Sequence, residues 1–331
     1  MSIKNYLIIP QYWLGDIIMT QALAKKIKSD KKKSKIDLLV PGIYAPLTNR
    51  MPEINECMVF NCNHNSLCVS ERIRMSKMLK GKYDECIILS RSLKSSIIPL
   101  LSSIPIRTGE IGEYRYFIIN NIKKFSKEER RKSYLRFISM HGKKEKKFDN
   151  QFYPTLTNSK KNLENISKKL NLNLNKPTVV FAPGSAYGPS KMWPKSKFIS
   201  LAKRIIDENF QIWVMGSKNE KALGDDISSS IKDVTNLCGK TNIADAVDLI
   251  NHSEYCVSND SGLMHLAAAT RTKLIGIYGS TSPSYTPPLS INKNIFYENL
   301  ECSPCFKKTC RFNHYNCLSK IQEEDVAKIF K

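Results

Sequence analysis

At 331 residues, 41% hydrophobic and 25% charged, the chain exceeds one typical hydrophobic core and has the composition of a soluble globular protein. No run approaches the ~18 apolar residues of a membrane span, and residues 1–10 lack the order of a signal peptide, so a cytoplasmic protein is expected. The formal charge of +22, from 52 Lys+Arg against 30 Asp+Glu, points to an anionic partner, with a lysine-biased surface as the plain alternative; lysine runs such as Lys31 to Lys33 lack the interleaved aromatics of single-strand grooves, so nucleic acid is not the expected partner.

Strand and helix patterns alternate from the start. Tyr6 to Pro10 reads as a short apolar strand, Gln11 to Gly15 as a turn, and Asp16 as the opening of a helix with apolar positions at Ile17, Ile18, Ala22, Leu23 and Ile27. Asp16 therefore either caps that helix or faces the crevice beyond the first strand of a parallel sheet. Further strands are expected at Ile36 to Val40, Cys57 to Phe60 and Tyr83 to Ser90, with helices over 71–80 and 92–101. Arg91 and Lys94 lie at a strand-to-helix junction; with Arg107 and Arg115 they could face an acidic ligand or serve as solvated surface charge.

Residues 143–177 have a linker's composition and bracket one amphipathic helix at 160–170. Domains are accordingly expected over 1–160 and 161–331. The second restarts with a strand at Thr178 to Ala182 and a Gly/Ser/Pro loop, Pro183 to Lys191, feeding a helix from Lys195, which is a phosphate-site composition. Neither a Walker loop nor a dinucleotide fingerprint occurs. Beyond a strand and turn at Gln211 to Ser217, the stretch Ser258-Asn-Asp-Ser-Gly-Leu-Met-His265 reads as a strand, a tight turn and a short helix, followed by a strand that breaks into Gly279-Ser-Thr-Ser-Pro283. Its residues fit a sugar-phosphate site or a simple capped turn. The last expected helix runs over 321–330.

Six of the ten cysteines, Cys57, Cys62, Cys68, Cys86, Cys238 and Cys256, are scattered and read as ordinary buried thiols. Cys302, Cys305, Cys310 and Cys317, with His314 among them, have spacing that could hold a structural zinc or make a thiol-rich loop.

Taken together, Gly15-Asp16, Pro183 to Pro194, Asn259 to His265, Tyr278 to Pro283, Tyr285 to Ser290 and Glu301 to Cys305 resemble, in order and over nearly the whole chain, the ADP-heptose–lipopolysaccharide heptosyltransferases. The resemblance implies an α/β glycosyltransferase of two Rossmann-like domains facing across a cleft (GT-B), inverting and metal-independent, with no cofactor. The N-terminal domain would bind the lipopolysaccharide core–lipid A acceptor and the C-terminal domain ADP-heptose, in a monomer working peripherally at the cytoplasmic face of the inner membrane. By position, Asp16 would be the general base and Lys191 the clamp on the departing diphosphate. Gly184, Ser185, Asp260, Ser261, Gly262 and His265 would hold the donor's phosphates and sugar, Ser217, Glu220 and Thr241 its adenosine, and Lys94, Arg107 and Arg115 the acceptor. Ser185-Ala186 stand where the family pattern leads one to expect an acidic residue. The acceptor sugar implied is the first inner-core heptose, with Kdo as the same-class alternative and a basic, non-catalytic nucleotide-binding protein as the alternative from another class.

Overall fold

The computed structural model describes residues 3–62, 66–229 and 231–330, and the chain divides into two compact units, Met1–Thr155 and Leu156–Lys331. In the first, β1 (Asn5–Ile9), β2 (Lys35–Val40), β3 (Glu56–Val59), β4 (Glu85–Ile88), β5 (Ile106–Gly109) and β6 (Asn121–Ile122) form a parallel sheet in the order β3-β2-β1-β4-β5-β6. Leu7 of β1 lies level with Asp37 on one side and Cys86 on the other. A strand flanked by parallel neighbours is covered on both faces, and the unbroken apolar run Leu7-Ile-Ile9 suits that position.

The second unit repeats the plan. Strands β7 (Thr178–Ala182), β8 (Gln211–Val214), β9 (Val234–Asn236), β10 (Tyr255–Asn259), β11 (Lys273–Tyr278) and β12 (Lys293–Tyr297) pair in parallel in the order β12-β11-β10-β7-β8-β9. In each sheet the chain builds outward on one side of the first strand, then crosses to the other side. The crevices where ligands bind in such sheets therefore open between β1 and β4 and between β7 and β10. The turns after Ile9, Ala182, Val214 and Asn259, all expected to carry chemistry, leave the carboxyl ends of strands.

Packing fixes the loop after β7. The helix Lys195–Asp207 buries Phe198, Leu201, Ala202 and Ile205 at helical spacing, and Trp193 just before it meets Phe198 edge-on at 5.0 Å between ring centres. The Trp193 indole donates to the carbonyl of Ile321 at 3.1 Å. The segment expected as one helix over 321–330 forms the short helix Glu323–Ala327 followed by a 3-10 turn, Lys328–Phe330, and is preceded by a further short helix, Asn316–Ser319.

The edge strands β6, β9 and β12 were not anticipated. Three of the scattered cysteines also differ from expectation: Cys62 and Cys68 are joined in a disulfide and are part-exposed, and Cys57 is a free thiol but part-exposed, so none of the three is a buried thiol.

Gly279, directly after β11, has no room for a side chain. A β-carbon there would sit against the Ser190 carbonyl and 2.8 Å from Leu318 Cγ. Gly279→Ala should lower stability by about 1–3 kcal/mol in denaturant titration, the usual cost of overpacking a close contact.

Candidate active site

In the C-terminal unit the β7 and β10 loops meet at the crevice. Lys191, at the end of the Pro183 loop, donates from Nζ to Asp260 Oδ2 at 2.6 Å, and Thr281, in the loop after β11, donates to the same oxygen at 2.5 Å. The Lys191 ammonium also lies 4.8 Å from the centre of the Tyr187 ring. Asp260 is only 3% exposed, so this is a buried ion pair with a hydroxyl satisfying a further valence.

Beside it, the buried Asn259 holds both ends of the loop. Its Nδ2 donates to the Pro183 carbonyl at 2.6 Å, and its Oδ1 accepts from the Trp193 backbone N–H at 3.0 Å. Asn259 and Thr281 have structural parts that the sequence alone did not assign. Their signal was their place in the motifs, immediately beside Asp260 and within Gly279 to Pro283.

Gly184 also has a specific reason. A β-carbon there would collide with the Glu220 carboxylate and lie 2.8 Å from its Cγ. Glu220 accepts from the Ser217 backbone N–H at 2.5 Å, completing a capping box. The structure thus brings Gly184, Ser217 and Glu220 together. Ser185 stands one residue further along the same loop, and Thr241 lies beyond β9, just before Asn242, which caps the helix Ile243–His252.

Ser261 occupies the N-cap position of the seven-residue helix Gly262–Ala268, but its side chain makes no cap hydrogen bond. The hydroxyl contact of Ser261 is to Ser258 Oγ at 3.4 Å. A simple capped turn therefore does not describe this stretch. His265, one turn into the helix, is buried; loss of hydration is the main cause that lowers its pKa to about 4, with Asp260 opposing and Lys191 assisting. It is a neutral imidazole near pH 7, so it offers a phosphate no positive charge.

In the N-terminal unit the helix after β1 runs Leu14–Asp30, with Trp13 at the N-cap position. Asp16 is three residues inside this boundary and is not the cap. With the Gln11 amide oriented to satisfy both of its ends, its nitrogen faces the Asp16 carboxylate oxygens at 3.2 and 3.3 Å and its oxygen accepts from Arg136 Nη2. Arg136 in turn donates to the buried Glu110 at 2.8 Å, and Arg130 donates to the other Glu110 oxygen at 2.9 Å. Loss of hydration pushes the Asp16 carboxyl up to about 6, against the pull of Arg136. A carboxylate in that range is ionised at neutral pH yet more basic than an exposed one.

A cavity of about 270 Å³ adjoins this switch point, lined in part by Gln11, Trp13, Phe60, Arg72 and Lys94. Of the three cations expected to meet an acidic ligand, Lys94 alone borders it. Arg115 is fully buried and donates to the Glu110 carbonyl at 3.0 and 2.6 Å, so it holds the loop after β5 and cannot reach a ligand. Arg107 is likewise committed, donating to the carbonyls of Ile118 and Ile104, each at 2.6 Å. Both expectations are corrected: a spacing rich in Arg could not reveal which guanidinium groups are spent on backbone carbonyls.

Two Rossmann-like units, each with polar groups gathered at the switch point of its sheet, are the architecture of a GT-B glycosyltransferase. Residues 72–316 match the model of glycosyltransferase family 9 (heptosyltransferase). Lipooligosaccharide heptosyltransferase 2 of Haemophilus influenzae is 35% identical over 299 residues, 86% of each chain. Lipopolysaccharide heptosyltransferase 2 of Escherichia coli is 34% identical over 296 residues, 86% of this chain and 85% of that one. The solved structure of Escherichia coli ADP-heptose LPS heptosyltransferase II is similar with a TM-score of 0.84 and 30% identity, covering 98% of this chain and 96% of that one. The chain belongs to glycosyltransferase family 9, the heptosyltransferases.

Asn259→Ala would leave the Trp193 N–H and the Pro183 carbonyl unpaired at a buried position. The expected loss is about 2–4 kcal/mol in denaturant titration.

Proposed function

We propose that this chain transfers L-glycero-D-manno-heptose from ADP-heptose to the first heptose of the lipopolysaccharide inner core. The observation that carries the reading is the buried pairing of Lys191 with Asp260 at the switch point of the C-terminal sheet, together with relatives whose names specify heptosyltransferase 2. In this reading the C-terminal unit holds the donor. The diphosphate takes up Lys191, while Asp260, still bonded to Thr281, is freed to accept from a sugar hydroxyl. Gly184, Ser185, Ser261 and Gly262 line the diphosphate, and Ser217, Glu220 and Thr241 face the adenosine. His265 contributes as a neutral hydrogen-bonding group.

The N-terminal unit supplies the base. The acceptor hydroxyl oxygen bonds to the anomeric carbon as the bond from that carbon to ADP breaks; the hydroxyl proton passes to Asp16 and the electron pair leaves with ADP, whose charge Lys191 stabilises. Attack opposite the leaving group inverts the anomeric centre. Lys94 and the cavity beside Gln11 receive the anionic acceptor.

The acceptor's lipid places the enzyme at the cytoplasmic face of the inner membrane. No described helix is long and apolar enough to cross a membrane, so the association proposed is peripheral. The charge of +22 favours anionic lipid, and Tyr114 and Phe117, 90% and 96% exposed, offer aromatic groups to the interface.

Acceptors carrying zero, one or two heptoses, supplied with ADP-heptose and assayed for ADP release, test the substrate. Product is expected on the one-heptose acceptor alone; turnover of the heptose-free acceptor would make Kdo the acceptor sugar. The acid limb of kcat/KM should fall near pH 6, following ionisation of Asp16. Asp16→Asn should reduce turnover at least a hundredfold while retaining ADP binding. Because folding raises the Asp16 pKa, its charge opposes folding at pH values above about 6 and has no such effect below its unfolded value. The Asn variant should therefore gain stability at pH 8 and little at pH 3.5, as read from thermal melts.

A further inference from the structure

The segment from 298 to 315, between β12 and the helix Asn316–Ser319, contains neither strand nor helix. Structureless stretches of this length are uncommon inside a compact unit unless something ties them down. Cys302, Cys305 and Cys310 belong to this stretch and Cys317 follows it, and all four are free thiols. They line one small cavity of about 20 Å³, room for a single water or ion.

His314 and the donor-loop residues Ser190 and Ser280 line the same cavity. The His314 Nδ1 accepts from the Asn316 N–H at 3.0 Å and lies 4.0 Å from Cys310 Sγ. That nitrogen is already used, and the four sulfurs by themselves make up a tetrahedral set.

We propose that Cys302, Cys305, Cys310 and Cys317 form a tetrahedral thiolate site for one zinc ion, which braces the loop carrying Lys191. Four thiolates are a composition that zinc selects. Among the described residues no three Cys, His, Asp or Glu side chains are already gathered as a metal centre; the sulfurs close on the ion as it binds, releasing the thiol protons.

The brace is visible in the contacts that the cysteine segment makes with the donor loops. Tyr187 donates to the Phe306 carbonyl at 2.6 Å, and the Ser190 N–H donates to the Lys308 carbonyl at 3.2 Å. Ser190 Oγ donates to the Lys307 carbonyl. The Phe306 N–H reaches the Ser280 carbonyl at 2.8 Å, and Ser303 Oγ the Gly279 carbonyl at 2.8 Å. Gly188 must be glycine, because its φ is +145° and a β-carbon there would meet the Lys308 carbonyl at 2.7 Å. The segment holding three of the cysteines thus touches the residue before Lys191 and the residue before Thr281. The link to donor binding rests on the donor site proposed above; the metal site itself does not.

Plasma mass spectrometry of the full-length protein, purified without chelator from zinc-supplemented cells, should find one zinc per chain. Exchange with cobalt should give the d–d and sulfur-to-metal bands of a tetrahedral thiolate. Both should be lost in Cys305→Ser/Cys310→Ser and kept in Cys57→Ser. Removing zinc from the unmodified protein should weaken ADP binding about tenfold in calorimetry, and adding zinc back should restore it. Protein without metal whose four thiols react with Ellman's reagent, or protein with disulfides among them after anaerobic purification, would overturn the site. Unchanged ADP affinity after zinc removal would overturn the brace. Metal content is read without any sugar transfer, so failure of the heptose assay leaves this test intact.

Discussion

The pair formed by Lys191 and Asp260 is the contact around which the C-terminal unit is arranged. Taking two charges out of water costs several kcal/mol per ion, and their attraction repays this only when the geometry is good and the remaining valences are filled. Here they are: Thr281 donates to the Asp260 oxygen that Lys191 uses, and the Tyr187 ring lies near the ammonium. A well-packed apolar pair would serve folding as well. What an apolar pair cannot do is exchange one anion for another, and a lysine already desolvated and aimed at an oxyanion needs little reorganisation to receive a diphosphate. The neighbouring contacts serve that readiness. Asn259 anchors both ends of the Lys191 loop, and Gly184 lets the same loop pass over Glu220.

In the proposed mechanism the N-terminal unit solves the opposite problem. A base must give up hydration without acquiring a close cation, because a salt bridge would hold its pKa low and cost it basicity. Asp16 is reached by Arg136 only through Gln11, and Arg136 is itself tied to Glu110. Two buried arginines in this region, Arg136 and Arg115, are both committed to the Glu110 residue, one to its carboxylate and one to its carbonyl. Their charge stabilises the loop after β5 and leaves Asp16 short of a direct partner, so desolvation dominates.

How much of this was legible follows from where each signal is written. Central strands announce themselves as apolar runs, as in Tyr6 to Ile9, Thr178 to Ala182 and Lys273 to Tyr278, because the crossover helices of a parallel sheet bury both faces. Edge strands such as Asn121–Ile122 and Val234–Asn236 have polar or very short sequences, and their hydrogen bonds come from a neighbour that sequence order does not reveal. The same limit governs the polar residues. Asp16 and Lys191 could be singled out because each follows a first strand and its turn, a position that topology makes special. Arg107 and Arg115 could not be sorted from Lys94, since burial and carbonyl partners are tertiary facts. Gln11 and Arg136 act on residues that were singled out, and nothing in their local spacing distinguishes them from loop or helix residues. The bond between Cys62 and Cys68 is similar: a spacing of six residues permits closure without requiring it.

Dividing the chemistry between two sheets has a physical rationale that one sheet would not satisfy. In the proposed transfer the leaving group calls for a fixed cation, and the attacking hydroxyl calls for a carboxylate whose proton affinity has been raised. Built at one switch point, the cation would lower the pKa of the carboxylate that it accompanies, at a Coulombic cost that grows as water is excluded. Separate Rossmann-like units let each carboxylate take its character from its own surroundings. Asp260 has an ammonium at 2.6 Å and serves as a holding group. The Asp16 carboxyl, pushed up to about 6 by loss of hydration, suits the base proposed for it. Two aspartates, each beyond the carboxyl end of a strand that borders the crevice of its sheet, thereby differ in their partners: Asp260 has a direct cation and the Thr281 hydroxyl, Asp16 an amide.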